Sequence, residues 1–140
     1  MSELTLKDFM PGTETGNVSL LLNEVRHALE RLSATGETTI IDLRRIPLTE
    51  DEEATFQTLL GQGEVSAQID ASGPTDVVET AYSGVWLVTH RTTEDTIIGR
   101  YVEITTIPEI MLSQQPDIDI GLRRLQEKLE ELRNEEAIEC

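Results

Sequence analysis

Few residues in this sequence have the chemistry of a catalytic or metal-binding site. Its two histidines are His27 and His90, and its one cysteine, Cys140, is the last residue. The sequence contains no H-E-x-x-H motif, no phosphate-cradling G-x-x-x-x-G-K-S/T loop and no G-x-G-x-x-G motif. It also lacks a Ser-His-Asp spacing of the kind found in catalytic triads. We therefore predict no catalytic residue, no metal ligand and no cofactor.

Both histidines suit structural roles better than catalytic ones. His27 lies in a helical segment, where we expect a solvated side chain. His90 shares a strand face with Trp86 and Val88, which indicates a packed and hydrogen-bonded ring. Neither histidine has enough suitable neighbours in the sequence to predict a base or a ligand.

Charge and length exclude several classes of protein. The chain has 140 residues, of which 11 are basic and 27 acidic, and a formal net charge of −16. Nucleic acids and anionic membranes bind positive surfaces, so we expect neither as a partner. A single cysteine excludes an internal disulfide and a cysteine-ligated zinc site. Without a long apolar run or an apolar N-terminal stretch, the chain is expected to be cytoplasmic.

The spacing of apolar residues predicts three helices. The first covers residues 18–33, with Asn17 as its N-cap and Gly36 beyond its end. The second opens with residues 49–52, whose Thr-Glu-Asp-Glu order fits a capping box. The third covers roughly residues 117–136.

Short segments rich in β-branched residues predict five strands, at residues 38–43, 64–70, 75–81, 85–91 and 97–106. Strict alternation in the second of them places Val65, Ala67 and Ile69 on the core side. Gly99 inside the last strand indicates a β-bulge. Short turns between the later strands favour an antiparallel meander, and the helix between the first two is compatible with a right-handed crossover.

The predicted element order is α-β-α-β-β-β-β-α. This order defines an α+β fold, with a mostly antiparallel sheet of about five strands and three helices. We predict one domain over residues 17–136. Turn-forming residues mark residues 1–16 as a flexible N-terminal tail, and residues 137–140 form a short C-terminal tail.

The third helix carries an apolar seam in a 4-3-4-3 spacing, which is the a/d pattern of a coiled coil. Pro116 lies ahead of this helix and is expected to break the helical turn at residues 108–114. The pattern lasts about two heptads, which suits a helix packed on a sheet or against a partner. The seam consists of Ile118, Leu122, Leu125, Leu129 and Leu132.

Three short segments combine residues in less ordinary ways. Residues 59–65 place two glycines between a helix and a strand, where they permit either a simple helix cap or close backbone approach. Residues 79–86 place the only tryptophan at a glycine bend, where it is either a core residue or a binding anchor. Residues 107–112 are either a helical plug over the sheet or an apolar patch for a partner.

In their order along the chain, these segments resemble the hydrogenase expression/formation proteins of the HupH/HyaF type. The resemblance covers roughly residues 17–132, as one copy of a module that members of this family often carry twice. It rests on residues 22–32, residues 41–43 with Pro47-Leu48, Leu60-Gly61-Gln62-Gly63-Glu64-Val65, Glu79-Thr80 with Gly84-Val85-Trp86, and Ile107-Pro108-Glu109-Ile110.

The resemblance implies an accessory protein for the maturation of uptake nickel–iron hydrogenases, which acts as an assembly chaperone and not as an enzyme. It implies that the partner is the iron–sulfur small-subunit precursor or another maturation factor. An acidic surface suits a twin-arginine export signal, which is basic at its start. A homodimer would restore two modules where the chain carries one.

We expect the partner-binding surface to lie around the glycine-bent part of the sheet. Trp86 is the predicted anchor, and Glu64 and Glu79 are predicted to accept hydrogen bonds or pair with basic residues of the partner. The predicted surface residues are Gln62, Gly63, Glu64, Glu79, Thr80, Gly84, Trp86 and His90.

Two other functions fit the same sequence. A small metal- or ligand-handling domain would use His90 with Glu79 or Glu64. A structural dimerisation module would instead pair through the seam of the third helix.

Overall fold

The structure is a computed structural model that describes residues 16–139, with side chains as far as residue 138. The predicted N-terminal tail, apart from Gly16, and Cys140 lie outside the described residues. The predicted α+β fold is confirmed, because the described residues form three α-helices and a five-stranded antiparallel sheet. They fall into two compact units, one ending at Pro108 and the other beginning at Glu109.

The sheet belongs to the first unit and has the strand order β1-β5-β4-β3-β2. Every pair of neighbours is antiparallel, so the four later strands form the predicted meander. β1 pairs with β5 and lies at the opposite edge from β2. The connection between β1 and β2 therefore leads from one edge of the sheet to the other. The strands are β1 (Thr39–Asp42), β2 (Ser66–Asp70), β3 (Pro74–Glu79), β4 (Val85–Arg91) and β5 (Ile97–Ile104).

Helix α1 (Asn17–Thr35) begins differently from the prediction. Its N-cap is Gly16, with a φ of 80° and no capping side chain, so the prediction that Asn17 caps the helix is wrong. Asn17 Nδ2 instead donates to the carbonyl of Pro47 at 3.1 Å, which ties the helix to the loop after β1. Gly36 ends the helix as predicted, and its N–H donates to the Leu32 carbonyl at 2.9 Å.

Helix α2 (Glu50–Leu60) begins with the predicted capping box. Thr49 Oγ1 accepts from the Glu52 N–H, and Glu52 Oε1 accepts from the Thr49 N–H, both at 3.1 Å. Glu52 is buried, and Glu53 forms an ion pair with Arg100 of β5 at 2.8 Å. Two of the four acidic residues in the first turn of α2, Glu52 and Glu53, therefore make contacts within the fold and are not simply solvated.

The main hydrophobic core lies between these two helices and one face of the sheet. Phe56 is fully buried in it, a burial that contributes roughly 1.5–3 kcal/mol to stability. Val77 and Val88 are also fully buried and lie opposite each other on β3 and β4, outside this core cluster. The core consists of Val18, Leu21, Val25, Ala28, Ile41, Leu43, Phe56, Leu60, Val85, Val102 and Ile104.

The structure tests the predicted alternation of β2 and the predicted bulge in β5. Val65 precedes β2 and is 42% exposed, so its predicted core position is wrong. β2 is an edge strand, and its Ala67 and Ile69 are half-buried. Between β4 and β5, His90 pairs with Gly99 while Arg91 pairs with Ile97, which confirms the bulge predicted at Gly99.

The second unit contains a 3-10 turn at Glu109–Met111 and helix α3 (Gln115–Glu139). Pro116 was predicted to lie ahead of this helix, but it occupies the first turn of the helix. An N–H at that position would have no helical partner, so proline is tolerated there. The helix also continues beyond its predicted end at residue 136. All five residues of the apolar seam are exposed.

Candidate partner-binding surface

The loop between α2 and β2 lies against the end of β3. Gly61 ends α2 with a φ of 69°, and its N–H donates to the Gln57 carbonyl at 3.1 Å. The Gly63 N–H donates to the Glu79 carbonyl at 2.8 Å. A Cβ at position 63 would lie 2.4 Å from the Thr80 carbonyl oxygen, so the backbone approach requires glycine there. Gly61 therefore ends the helix, and Gly63 allows the loop to approach the end of β3 closely.

Two carboxylates lie beside this loop. One side-chain oxygen of Glu79 accepts from the Glu64 N–H at 3.2 Å, which holds the Glu79 carboxylate against the loop. Glu64 is exposed. Both glutamates line an open depression of about 520 Å³ whose described lining contains no basic residue. We call it the acidic depression, and its lining includes Gln62, Gly63, Glu64, Glu79 and Thr80.

The turn between β3 and β4 forms one wall of the acidic depression. The buried Thr80 hydroxyl donates to the Val85 carbonyl at 2.9 Å, and it accepts from the Tyr82 N–H at 3.2 Å. Gly84 has a φ of 92°, and a Cβ there would lie 3.2 Å from the side chains of Leu29 and Leu32. Thr80 and Gly84 thus fix the shape of the turn.

An apolar groove of about 290 Å³ lies on the Tyr82 side of the same turn. The Tyr82 ring is 52% exposed and borders the groove, as does Arg26, the charged residue of its described lining. The sequence did not predict this groove, because apolar spacing indicates a helix but not which of its leucines the turn leaves uncovered. The remaining lining is Leu22, Val25, Leu29, Leu60 and Val85.

Trp86 is not available as the predicted surface anchor. Its side chain is only 5% exposed, and its indole N–H donates to the Thr105 carbonyl at 3.1 Å. In the sheet, Trp86 of β4 lies directly opposite Glu79 of β3. Of the two interpretations, a core residue or a binding anchor, the structure supports a core residue whose polar atom is hydrogen-bonded.

His90 lies apart from the acidic depression. Its Nδ1 is 2.9 Å from the Thr75 hydroxyl, and its ring meets that of Tyr101 edge to face, with centroids 5.7 Å apart. Thr75 and Glu79 are four residues apart on β3, which at roughly 3.3 Å per residue separates His90 from Glu79 by about 13 Å along the sheet. The structure therefore does not assemble the alternative site of His90 with Glu79 or Glu64.

His27 is exposed on α1, and its Nε2 is 3.1 Å from an Arg26 guanidinium nitrogen. Across residues 16–139, no group of three or more histidine, cysteine, aspartate or glutamate side chains is arranged to hold a metal ion. Among the helices of the same residues, none combines the length and apolarity needed to cross a membrane.

A third depression, of about 480 Å³, contains two arginines that sequence analysis did not single out. Arg100 pairs with Glu53 at 2.8 Å, and Arg91 contacts Asp76 and, at 3.7 Å, Asp95. These ion pairs neutralise the arginines within the first unit. Partners such as Glu53 and Arg100 are 47 residues apart, so no local sequence pattern indicates them.

Comparisons with known proteins agree with this fold. The family model described as "HupH hydrogenase expression protein, C-terminal conserved region" matches residues 15–132. A solved structure, hydrogenase expression protein HupH from Thiobacillus denitrificans, superposes with a TM-score of 0.81 and 31% identity, covering 85% of this chain and 99% of that one. The chain belongs to the HupH family of hydrogenase expression proteins.

Curated relatives carry names of the same kind. Hydrogenase expression/formation protein HupH of Rhodobacter capsulatus is 31% identical over 70% of this chain and 36% of its own length. HoxQ of Azotobacter vinelandii is 32% identical over 82% of this chain and 40% of its own length. Hydrogenase-1 operon protein HyaF of Escherichia coli is 38% identical over 53% of this chain and 26% of its own length. The chain thus spans less than half the length of these relatives.

Proposed function

We propose that this chain is a cytoplasmic accessory protein of hydrogenase maturation that binds and protects the iron–sulfur small-subunit precursor and performs no catalysis. The proposal rests on membership in the HupH family together with a surface that combines an acidic depression and an apolar groove. The names of the relatives supply the hydrogenase context. The surface supplies the chemistry by which this chain would recognise its partner.

The acidic depression favours a basic segment of the partner. Glu64 is exposed, Glu79 is fixed by its hydrogen bond to the loop, and neither forms an ion pair within the described residues. A partner arginine or lysine would therefore meet carboxylates whose charge no neighbouring cation neutralises. Such pairs at an accessible surface chiefly raise the rate of association and set orientation.

The apolar groove extends this recognition beyond charge. It lies across the turn from the acidic depression, since the turn residue Tyr82 borders the groove and its neighbours Ala81 and Ser83 line the depression. An extended segment crossing the turn would place basic residues at the glutamates and apolar residues in the groove. A twin-arginine export signal, with its basic start, suits the acidic end of this path. Tyr82 offers the exposed aromatic surface that binding sites favour.

Co-purification with a tagged small-subunit precursor tests the groove. Tyr82→Ser removes the ring and leaves the backbone bonds of the turn in place, so we expect reduced capture from a folded variant. Leu20→Ser is the matched control, because Leu20 is 67% exposed on α1 and does not line the groove. Equal capture by both variants and the wild type would contradict the groove as the binding site.

A further inference from the structure

The apolar seam of α3 is a continuous exposed stripe. Its five side chains are between 47% and 59% exposed. They recur every three or four residues over four turns of a regular helix, so they lie on one face. Exposed apolar stripes of this length are uncommon on a monomer and mark association surfaces. The residues are Ile118, Leu122, Leu125, Leu129 and Leu132.

We propose that α3 pairs in antiparallel orientation with α3 of a second copy of this chain. The heptad spacing fits such a pair, since it keeps the seam facing a partner helix along its length. With Leu125 opposite Leu129 of the second copy, Leu122 lies opposite Leu132, and the same contacts repeat by two-fold symmetry. This register buries the four leucines of each helix at the centre of the interface.

The charges flanking the seam select the second copy and its orientation. In the heptad order of the seam, Asp119 and Arg133 occupy equivalent positions directly beside it, and in the antiparallel pair Asp119 lies beside Arg133 of the second copy. By two-fold symmetry this pair of opposite charges occurs twice. Among the described residues, Arg133 forms no ion pair within the chain, so it remains available to a partner.

The other side of the seam carries one opposing contact. Lys128 lies beside Lys128 of the second copy, which is the one like-charge pair at the flanking positions of this register. That repulsion is reduced because each Lys128 contacts Glu131 of its own helix at 3.1 Å.

The parallel arrangement brings like charges together instead. Lys128 would lie beside Arg133 of the second copy, and by symmetry this like-charge pair would occur twice. Like charges at flanking positions of a coiled coil destabilise that orientation. The sequence of α3 therefore favours the antiparallel pair over the parallel one through both attraction and repulsion.

The size of the seam indicates a weak dimer. Two heptads bury less than the roughly 1,200–2,000 Å² of a standard interface, so we expect association in the micromolar range. Sedimentation velocity of the full chain, from low to high micromolar concentration, should show a monomer that converts to a dimer. A monomer throughout that range would overturn the proposal, because the seam would then be reserved for another partner.

Two substitutions by glutamate compare the seam with the opposite face of α3. Leu125→Glu places a charge at the centre of the interface, and we expect dimerisation to weaken at least about tenfold. Ile120→Glu is the matched control, since Ile120 is also exposed, at 48%, but lies on the opposite face of the same helix, so the dimer should be unchanged. Equal effects of the two substitutions, with helicity retained by circular dichroism, would contradict the seam.

A charge exchange tests the orientation. Arg133→Asp should weaken the dimer, because the new acid lies beside Asp119 of the second copy in the antiparallel pair. Adding Asp119→Arg to the same chain should restore the dimer, since the pair regains opposite signs. In a parallel dimer Arg133→Asp would instead replace a repulsion from Lys128 with an attraction, so a stronger dimer of the single variant, or a failure of the rescue, would overturn the antiparallel arrangement.

Discussion

The backbone at Gly63 lies against the carbonyl of Thr80 so closely that a Cβ at position 63 would be 2.4 Å from that oxygen. The same glycine donates its N–H to Glu79 at 2.8 Å. The loop that carries Glu64 is thus positioned by main-chain contacts with the end of β3. The shape of the acidic depression depends on the absence of a side chain at this position.

Gly63→Ala should therefore displace the loop. We expect a loss of about 1–3 kcal/mol in the free energy of unfolding, because either the Thr80 carbonyl or the loop backbone must move. Urea denaturation measures this loss. Gly121→Ala in α3 is the control, since a Cβ there meets nothing within 4 Å. Equal stability of the Gly63→Ala variant and the wild type would contradict the close approach.

Gly84→Ala tests the turn that borders both the depression and the groove. Its φ of 92° disfavours any residue with a Cβ, and the added methyl would also press on Leu29 and Leu32 at 3.2 Å. We expect a loss of about 1–2 kcal/mol, which is the typical cost of a left-handed conformation for a non-glycine residue. Thermal unfolding by circular dichroism measures it, and an unchanged midpoint would be incompatible with the strained turn.

Trp86→Phe should affect stability and not partner binding. The substitution keeps an aromatic ring but leaves the buried Thr105 carbonyl without its indole donor, which costs about 1–3 kcal/mol. Tyr82→Phe, at an exposed ring, should leave stability nearly unchanged. Reduced capture of the precursor by a Trp86→Phe protein of native stability would instead restore the tryptophan as a binding anchor.

Thr49→Ala tests the capping box of α2. Removing the hydroxyl leaves the Glu52 N–H without its acceptor, and the expected loss of stability is about 1 kcal/mol. Thr58→Ala is the comparison, because Thr58 Oγ1 bonds only a carbonyl within the exposed face of the same helix, at Ala54. Equal losses for the two variants, measured by urea denaturation, would show that the cap contributes nothing specific.

The parts of the fold that the sequence predicted correctly depend on local chemistry. The Thr49 and Glu52 pair is three residues apart, Gly36 follows its helix directly, and half-buried and exposed residues alternate within the five residues of β2. Such signals need no knowledge of distant segments. The bulge at Gly99 was predictable for the same reason, since a glycine inside a strand marks an irregular position.

The errors concern side chains whose environment is set by distant residues. Trp86 is buried, and its indole N–H is satisfied by the carbonyl of Thr105, 19 residues away. Asn17 does not cap its helix because its amide bonds Pro47, 30 residues away. The candidate surface was predicted in part, since Glu64 and Glu79 do meet through the loop. The apolar groove was not, because it requires the packing of α1 against the turn at Tyr82.

The central claim is that the acidic depression binds the small-subunit precursor, and its affinity for the purified precursor tests this most directly. Isothermal titration should give a dissociation constant for Glu64→Lys at least about tenfold weaker than for the wild type, because the substitution opposes a basic segment at the binding site. Glu94→Lys makes the same charge change in the exposed turn between β4 and β5 and should bind like the wild type. Equal affinities for all three proteins, or no binding by the wild type, would contradict the account.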